Sequence, residues 1–170
     1  MRPAIFFAMV LLSLNTLAQT PEENLKSLKI QLPSASAPVA SYVNAVRTGN
    51  LIFLAGKGPR KENGEYITGK LGDSLNIQQG YEAARLTGIN QLAVLKEMLG
   101  DLSKVKRIVK VNGYVNSTSN FYNQPQVING YSDLMIQVFG DKGKHARTAI
   151  GVNTLPMNIA VEVEMVVEVQ

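Results

Sequence analysis

The chain has 170 residues, which is enough for one domain with its own hydrophobic core. Hydrophobic residues make up 45% and charged residues 18% of the sequence, so global disorder is excluded, and a formal net charge of +4 does not by itself indicate a nucleic-acid partner. The chain contains no cysteine, which excludes disulfide bonds, thiolate metal ligands and a thiol nucleophile.

Residues 1–18 have the pattern of a cleaved export signal. Arg2 supplies a positive start, the stretch 4–14 is apolar apart from one serine, and small residues stand at the positions that a signal peptidase needs. The apolar stretch is shorter than the roughly 20 residues of a membrane-spanning helix. The pattern therefore predicts a periplasmic or secreted protein, cleaved near Gln19, without a membrane anchor in its mature form.

The rest of the chain is predicted to consist of a polar segment and one domain. Residues 19–36 are expected to form an N-terminal tail and linker, with one short amphipathic piece at 24–30. Pro33 and Pro38 bracket the linker, and the domain is expected to cover residues 37–170.

Within the domain, periodicity and turn residues predict the element order ββ-α-β-α-ββ. Asn76 is a good N-cap for the first helix and Gly100 a good C-terminal stop. This order predicts an α+β fold, a two-layer sandwich in which a mixed β-sheet carries both helices on one face. The predicted elements are strands 42–47, 51–55 and 107–116, helices 77–99 and 126–139, and two closing strands joined by the loop 153–158.

The two closing strands carry the best candidates for a functional site. Arginine suits bidentate binding of a carboxylate, and Arg147 has only Ala149 and Gly151 as same-face neighbours, which leaves room for a ligand. A surface arginine is the ordinary alternative. The last strand places apolar residues on one face and three glutamates on the other: Glu162, Glu164 and Glu168. A glutamate can activate water, and pairing of the closing strands would bring Arg147 near this row, but spacing does not choose between the glutamates.

The sequence also resembles a known family over about residues 34–170. Its end resembles the C-terminal signature of the reactive intermediate deaminase family (Rid, or YjgF-like) through Arg-Thr-Ala-Ile at 147–150, Leu-Pro at 155–156 and Val-Glu-Val-Glu at 161–164. Further matches follow the family order: Ser-Tyr-Val at 41–43, Gly-Asn-Leu-Ile-Phe-Leu-Ala-Gly at 49–56 with Pro59, Glu-Ala-Ala-Arg at 82–85 and Gly-Asp-Leu at 100–102.

The resemblance implies a chorismate-mutase-like fold and a homotrimer whose sheets line a central barrel, with sites in clefts between subunits. It implies hydrolysis of small enamines or imines derived from amino acids to 2-keto acids and ammonia, with no metal and no organic cofactor. The alternative is a binding module, an exported Rid-like trimer that captures a small carboxylate or a protein without turnover. This alternative arises because reactive enamines come chiefly from cytoplasmic enzymes.

The resemblance also assigns roles to individual residues. Arg147 would clamp the substrate carboxylate, with help from the backbone N–H of Gly56. A gap-free count through the C-terminal signature makes Glu162 the residue that holds the hydrolytic water. The backbone carbonyl of Ala149, at a position often held by cysteine in the family, would assist it. Tyr42 would line the cleft.

Three other features bear on function. Ile128 stands where the family usually has a polar residue near the cleft, which would reshape the pocket. His145 is the only histidine, which excludes a multi-histidine metal site, and without a Gly-x-Ser-x-Gly motif we expect a surface residue apart from any activated serine. The basic residues within 104–110 have no aromatic residues between them, so no nucleic-acid partner is expected.

Overall fold

The computed structural model describes residues 19–38 and 40–170, and the export signal predicted at 1–18 lies outside the described residues. No helix in the described part of the chain is long and apolar enough to cross a membrane. The helices and strands are α1 (Pro21–Ser27), β1 (Ala45–Thr48), β2 (Leu51–Lys57), α2 (Ile77–Leu99), β3 (Val105–Asn116), α3 (Gln124–Phe139), β4 (Ala146–Val152) and β5 (Val161–Val169). Short 3₁₀ segments lie at Leu102–Lys104, Gly140–Gly143 and Pro156–Asn158.

The strands form one mixed sheet in the order β1-β2-β5-β3-β4. β3 and β4 are parallel and are joined by a crossover through α3, whereas the other neighbouring pairs are antiparallel. Helices α2 and α3 pack against each other and cover one face of the sheet, where alternate residues of β3 and β5 are buried. The predicted α+β sandwich with a mixed sheet and two helices on one face is confirmed.

Local capping signals determine where α2 begins and ends. The Asn76 side chain accepts from the backbone N–H of Gln79 and the Gln79 side chain accepts from the backbone N–H of Asn76, a reciprocal pair that closes the first turn. Gly100 ends the helix in a left-handed conformation with φ of 74°. Helix α3 begins at Gln124, slightly before its predicted start, with Pro125 in its first turn.

The segment 19–36 contributes to the domain instead of forming a free polar tail. Leu25 of α1 is buried in the hydrophobic core. The Glu22 carboxylate accepts from the backbone N–H of Leu102 at 2.8 Å and forms an ion pair with Lys96 at 2.7 Å. These contacts tie α1 to the end of α2 and the turn that follows it.

Candidate functional site

Glu162 and Gly56 meet where β2 pairs with β5. Alternate residues of β5 face away from the helices, and Glu162 and Glu164 are among them. The ladder between β2 and β5 shifts its register between Leu54 and Lys57, and Gly56 lies inside this bulge. A Cβ atom on residue 56 would overlap Oε1 of Glu162, so the carboxylate rests directly on the Gly56 backbone. The structure therefore brings these two predicted site residues together.

A buried amide from α2 supports this bulge. Gln91 is fully buried, and its Nε2 donates to the backbone oxygens of Ala55 at 3.0 Å and Val163 at 2.8 Å. Ala55 immediately precedes Gly56 in the sequence, and Val163 immediately follows Glu162. Because a bulge removes ladder hydrogen bonds, the Gln91 side chain supplies donors that the strands no longer provide. The role of Gln91 was not predicted from the sequence, where its one signal is a polar residue within the apolar stripe of α2.

Glu162 and Glu164 have different surroundings although they share a strand face. Oε1 of Glu164 accepts from Nδ2 of Asn112 at 2.8 Å and from the hydroxyl of Tyr114 at 3.1 Å. No comparable donor reaches the Glu162 carboxylate from residues 19–38 or 40–170. Burial raises the pKa of Glu162, and the negative charge of Glu164 raises it further. A half-buried carboxylate with a raised pKa and free oxygens is suited to accept a proton from water.

Arg147 and Glu162 lie on opposite faces of the sheet within one chain. β3 separates β4 from β5, so the expectation that the two closing strands pair is wrong. Arg147 lies opposite Val111, which is buried on the helix side, whereas Glu162 lies opposite Tyr114 on the other side. Paired residues project from the same face of a sheet, and Ala149 shares the face of Arg147. A single chain therefore does not bring Arg147 and Glu162 into one site.

Two residues of α3 hold the guanidinium of Arg147. Its Nη1 donates to Oδ1 of Asn129 at 2.8 Å and to Oγ of Ser132 at 3.1 Å. The same Ser132 Oγ lies 2.9 Å from Nε2 of His145. His145, expected to be a surface residue, is instead half-buried and hydrogen-bonded to this serine. Asn129 and Ser132 were not predicted from the sequence. Their spacing of three residues puts both on one side of α3, and it indicates contact with Arg147 only when α3 is known to lie beside β4.

The surroundings of His145 indicate which of its ring nitrogens carries hydrogen. Nδ1 lies 2.6 Å from the backbone oxygen of Gly143 and must donate to it, which leaves Nε2 to accept the hydroxyl hydrogen of Ser132. Burial lowers the pKa of His145, the positive charge of Arg147 lowers it as well, and the hydrogen bond to Gly143 acts in the opposite direction. The neutral imidazole is thus the favoured form.

Tyr42 and Ile128 are the remaining residues that were predicted to lie at or near the cleft. β1 begins at Ala45, so Tyr42 lies in the irregular segment before it and is 45% exposed. Ile128 is fully buried against Gly113, where an added Cβ would collide with the isoleucine side chain. Ile128 therefore serves the core, and the next residue, Asn129, presents a polar group towards β4.

Comparison with known proteins identifies the family. Residues 22–169 match the family described as "YjgF/chorismate mutase-like, putative endoribonuclease", and the chain belongs to this family. The protein TCP17 of Trypanosoma cruzi is 44% identical over 146 residues, which cover 85% of this chain and 91% of that protein. A Dermatophagoides farinae protein named 2-iminobutanoate/2-iminopropanoate deaminase is 32% identical over 142 residues, or 83% of this chain and 95% of that protein.

Solved structures share the fold as well. A crystal structure of a protein of unknown function from Agrobacterium tumefaciens superposes with a TM-score of 0.81 at 39% identity, covering 88% of this chain and 92% of that one. A Shewanella oneidensis protein superposes with a TM-score of 0.86 at 30% identity, covering 89% of this chain and all of that one (100%). The family membership predicted from the ordered motifs is confirmed.

Proposed function

We propose that this protein hydrolyses small imines or enamines derived from amino acids, releasing a 2-keto acid and ammonia. The proposal rests on the position and the pKa of the Glu162 carboxylate. Its carboxylate rests on the Gly56 backbone, accepts no side-chain hydrogen bond from the described residues and has a raised pKa, which suits a residue that activates water. A relative named as an imine deaminase, 32% identical to this chain, supports the substrate class.

Each predicted residue has a part in this reaction. Arg147 binds the substrate carboxylate with the Gly56 N–H, which places the imine carbon beside the water. Glu162 takes a proton from that water, oriented with the Ala149 carbonyl, while the water oxygen bonds to the imine carbon. Glu162 then returns this proton to nitrogen, which gives a carbinolamine. It next takes the proton of the new hydroxyl group and passes it to nitrogen, so that the C–N bond breaks, the carbonyl forms and ammonia leaves. Tyr42 lines the cleft.

We further propose that the site is shared between subunits of a homotrimer. Arg147 and Glu162 lie on opposite faces of one sheet, so a site with both residues requires two copies of the chain. The helix-free face exposes apolar side chains suited to an interface: Val46 (55%), Phe53 (46%) and Ile150 (46%). The family resemblance favours three subunits.

Activity measurements test the proposed function directly. Wild-type protein mixed with imino acids freshly generated from amino acids is expected to accelerate the release of ammonia. Arg147→Ala is expected to lower kcat/KM on the order of 10²-fold or more, because the bidentate carboxylate contact is lost. Arg85→Ala, at an arginine of α2 whose Nη1 donates to Gln137, lies on the helix layer away from the proposed interface face; it is the matched control and is expected to retain activity. Binding of a 2-keto acid without any ammonia release would indicate the binding module instead.

A further inference from the structure

The hydrogen bonds of Arg147 occupy one nitrogen of its guanidinium and leave one edge free. Both bonds to α3, to Asn129 and to Ser132, come from Nη1, which has two hydrogens and is therefore saturated. Nε and Nη2 donate to no acceptor in the described part of the chain. These two nitrogens form the side-on edge of the guanidinium, which matches the two oxygens of a carboxylate.

The Ser132 side chain is oriented by a second hydrogen bond, to His145. Its hydroxyl hydrogen is committed to Nε2 of neutral His145, so a lone pair of Ser132 Oγ is left to accept from Arg147. The His145 ring is fixed by the Gly143 carbonyl, and Gly143 packs so closely on α3 that an added Cβ would overlap the backbone of Met135. A continuous series of hydrogen bonds therefore links the backbone of Gly143, through His145 and Ser132, to the guanidinium of Arg147.

We propose that Asn129, Ser132 and His145 are positioning residues that orient Arg147, so that its Nε–Nη2 edge receives the ligand carboxylate side-on. This inference rests on the proposed function, because it assumes that Arg147 binds the carboxylate of the substrate. It assigns α3 a direct part in selecting carboxylate-bearing imines over neutral ones. Ile128 is buried in the core and does not contact the guanidinium, whereas its neighbour Asn129 accepts a hydrogen bond from Arg147.

A nucleophilic role for Ser132 is the competing interpretation, since a serine beside a neutral histidine resembles a nucleophile and its base. One observation favours positioning. Ser132 Oγ already accepts a hydrogen bond from the cationic guanidinium of Arg147, which makes the hydroxyl a poorer nucleophile.

The test measures the binding of 2-oxobutanoate by calorimetry and the hydrolysis of imines by ammonia release. Ser132→Ala and Asn129→Ala are each expected to raise Kd and KM by about 10-fold while kcat changes by less than roughly threefold, because a loosened guanidinium loses ground-state binding. Ser132→Thr keeps the hydroxyl and is expected to restore binding. Ser103→Ala changes another half-buried serine, one that makes no hydrogen bond to Arg147, Asn129 or His145, and is the matched control. Hydrolysis of an imine without a carboxylate is expected to be the same in all variants.

The possible failures are distinguishable. Wild-type protein that binds 2-oxobutanoate but releases no ammonia contradicts the proposed function alone, and the Kd values of the variants still test the positioning role. Unchanged Kd and KM in both Ser132→Ala and Asn129→Ala overturn the positioning role alone. Covalent labelling of Ser132 by a fluorophosphonate, abolished in His145→Gln, overturns it in favour of a nucleophile. Wild-type protein that binds no 2-keto acid overturns both proposals.

Discussion

Glu162 in its ionised form opposes folding at neutral pH. Burial and the charge of Glu164 raise its pKa in the folded chain, so stability from this group is fully present below the unfolded pKa and is lost as pH rises through the raised folded value. Glu162→Gln stays neutral and is expected to raise Tm on the order of 2 °C at about pH 8, with little change at about pH 4. Thermal unfolding at both pH values measures this, and a lower Tm for the variant at the higher pH contradicts it.

Glu164 is expected to influence Glu162 without taking part in the chemistry. Turnover needs ionised Glu162 and therefore falls as pH drops through its pKa, which the charge of Glu164 raises. Glu164→Gln is expected to move this acid limb to lower pH, with kcat at about pH 8 changing less than roughly threefold. Glu162→Gln is expected to lose most turnover at every pH while still binding a 2-keto acid. Equal losses of turnover in the two variants would identify Glu164 as a second residue of the chemistry.

At the scale of the elements, the bulge in β2 allows the carboxylate to lie on the backbone. In Gly56→Ala the new Cβ meets the mobile end of the Glu162 side chain, so the carboxylate must move while the fold can remain. We expect turnover to fall by about 10-fold or more with little change in Tm. Gly113→Ala is the contrasting variant, because its Cβ meets the fully buried Ile128, and Tm is expected to fall. Unchanged turnover in Gly56→Ala contradicts this account.

These elements also show which features a sequence reveals and which it does not. The bounds of α2 were predictable because Asn76 and Gly100 act on the backbone beside them. The bulge was not, because it depends on Gln91, far along the chain from Gly56. The closing strands were each recognised, but β3 lies between them, and strand order follows from packing of the whole sheet. Arg147 and Glu162 could be identified from motifs. That they lie on opposite faces of the sheet could be seen only once the strand order was known.

For the molecule as a whole, removal of the export signal predicted at residues 1–18 would not disturb helix α1. Cleavage before Gln19 leaves α1 intact, because Thr20 caps this helix and the first helical residue is Pro21. Expression of the full chain in a bacterium is expected to give a periplasmic protein whose mass begins at Gln19 or nearby. Recovery of the complete chain from the cytoplasm contradicts the prediction.

The proposed homotrimer has a direct physical test. Light scattering of the purified chain at micromolar concentration is expected to give three times the mass of one subunit, and a monomer mass contradicts the shared site. Phe53→Asp places a charge on the helix-free face, where the wild-type side chain is 46% exposed in the single chain. This variant is expected to stay folded and to lose both assembly and activity, because a buried unpaired charge disfavours an interface.

A shared site predicts that two inactive variants restore each other. In a trimer assembled at random from Arg147→Ala and Glu162→Gln chains in equal amounts, a cleft has an intact arginine in one half of cases and an intact glutamate in one half. About one quarter of the clefts are therefore intact, and co-expression is expected to give roughly one quarter of wild-type activity. The same variants purified separately and mixed without subunit exchange are the control and are expected to stay inactive. No recovery on co-expression, with mixed trimers confirmed by mass, would falsify a site shared between Arg147 of one subunit and Glu162 of another.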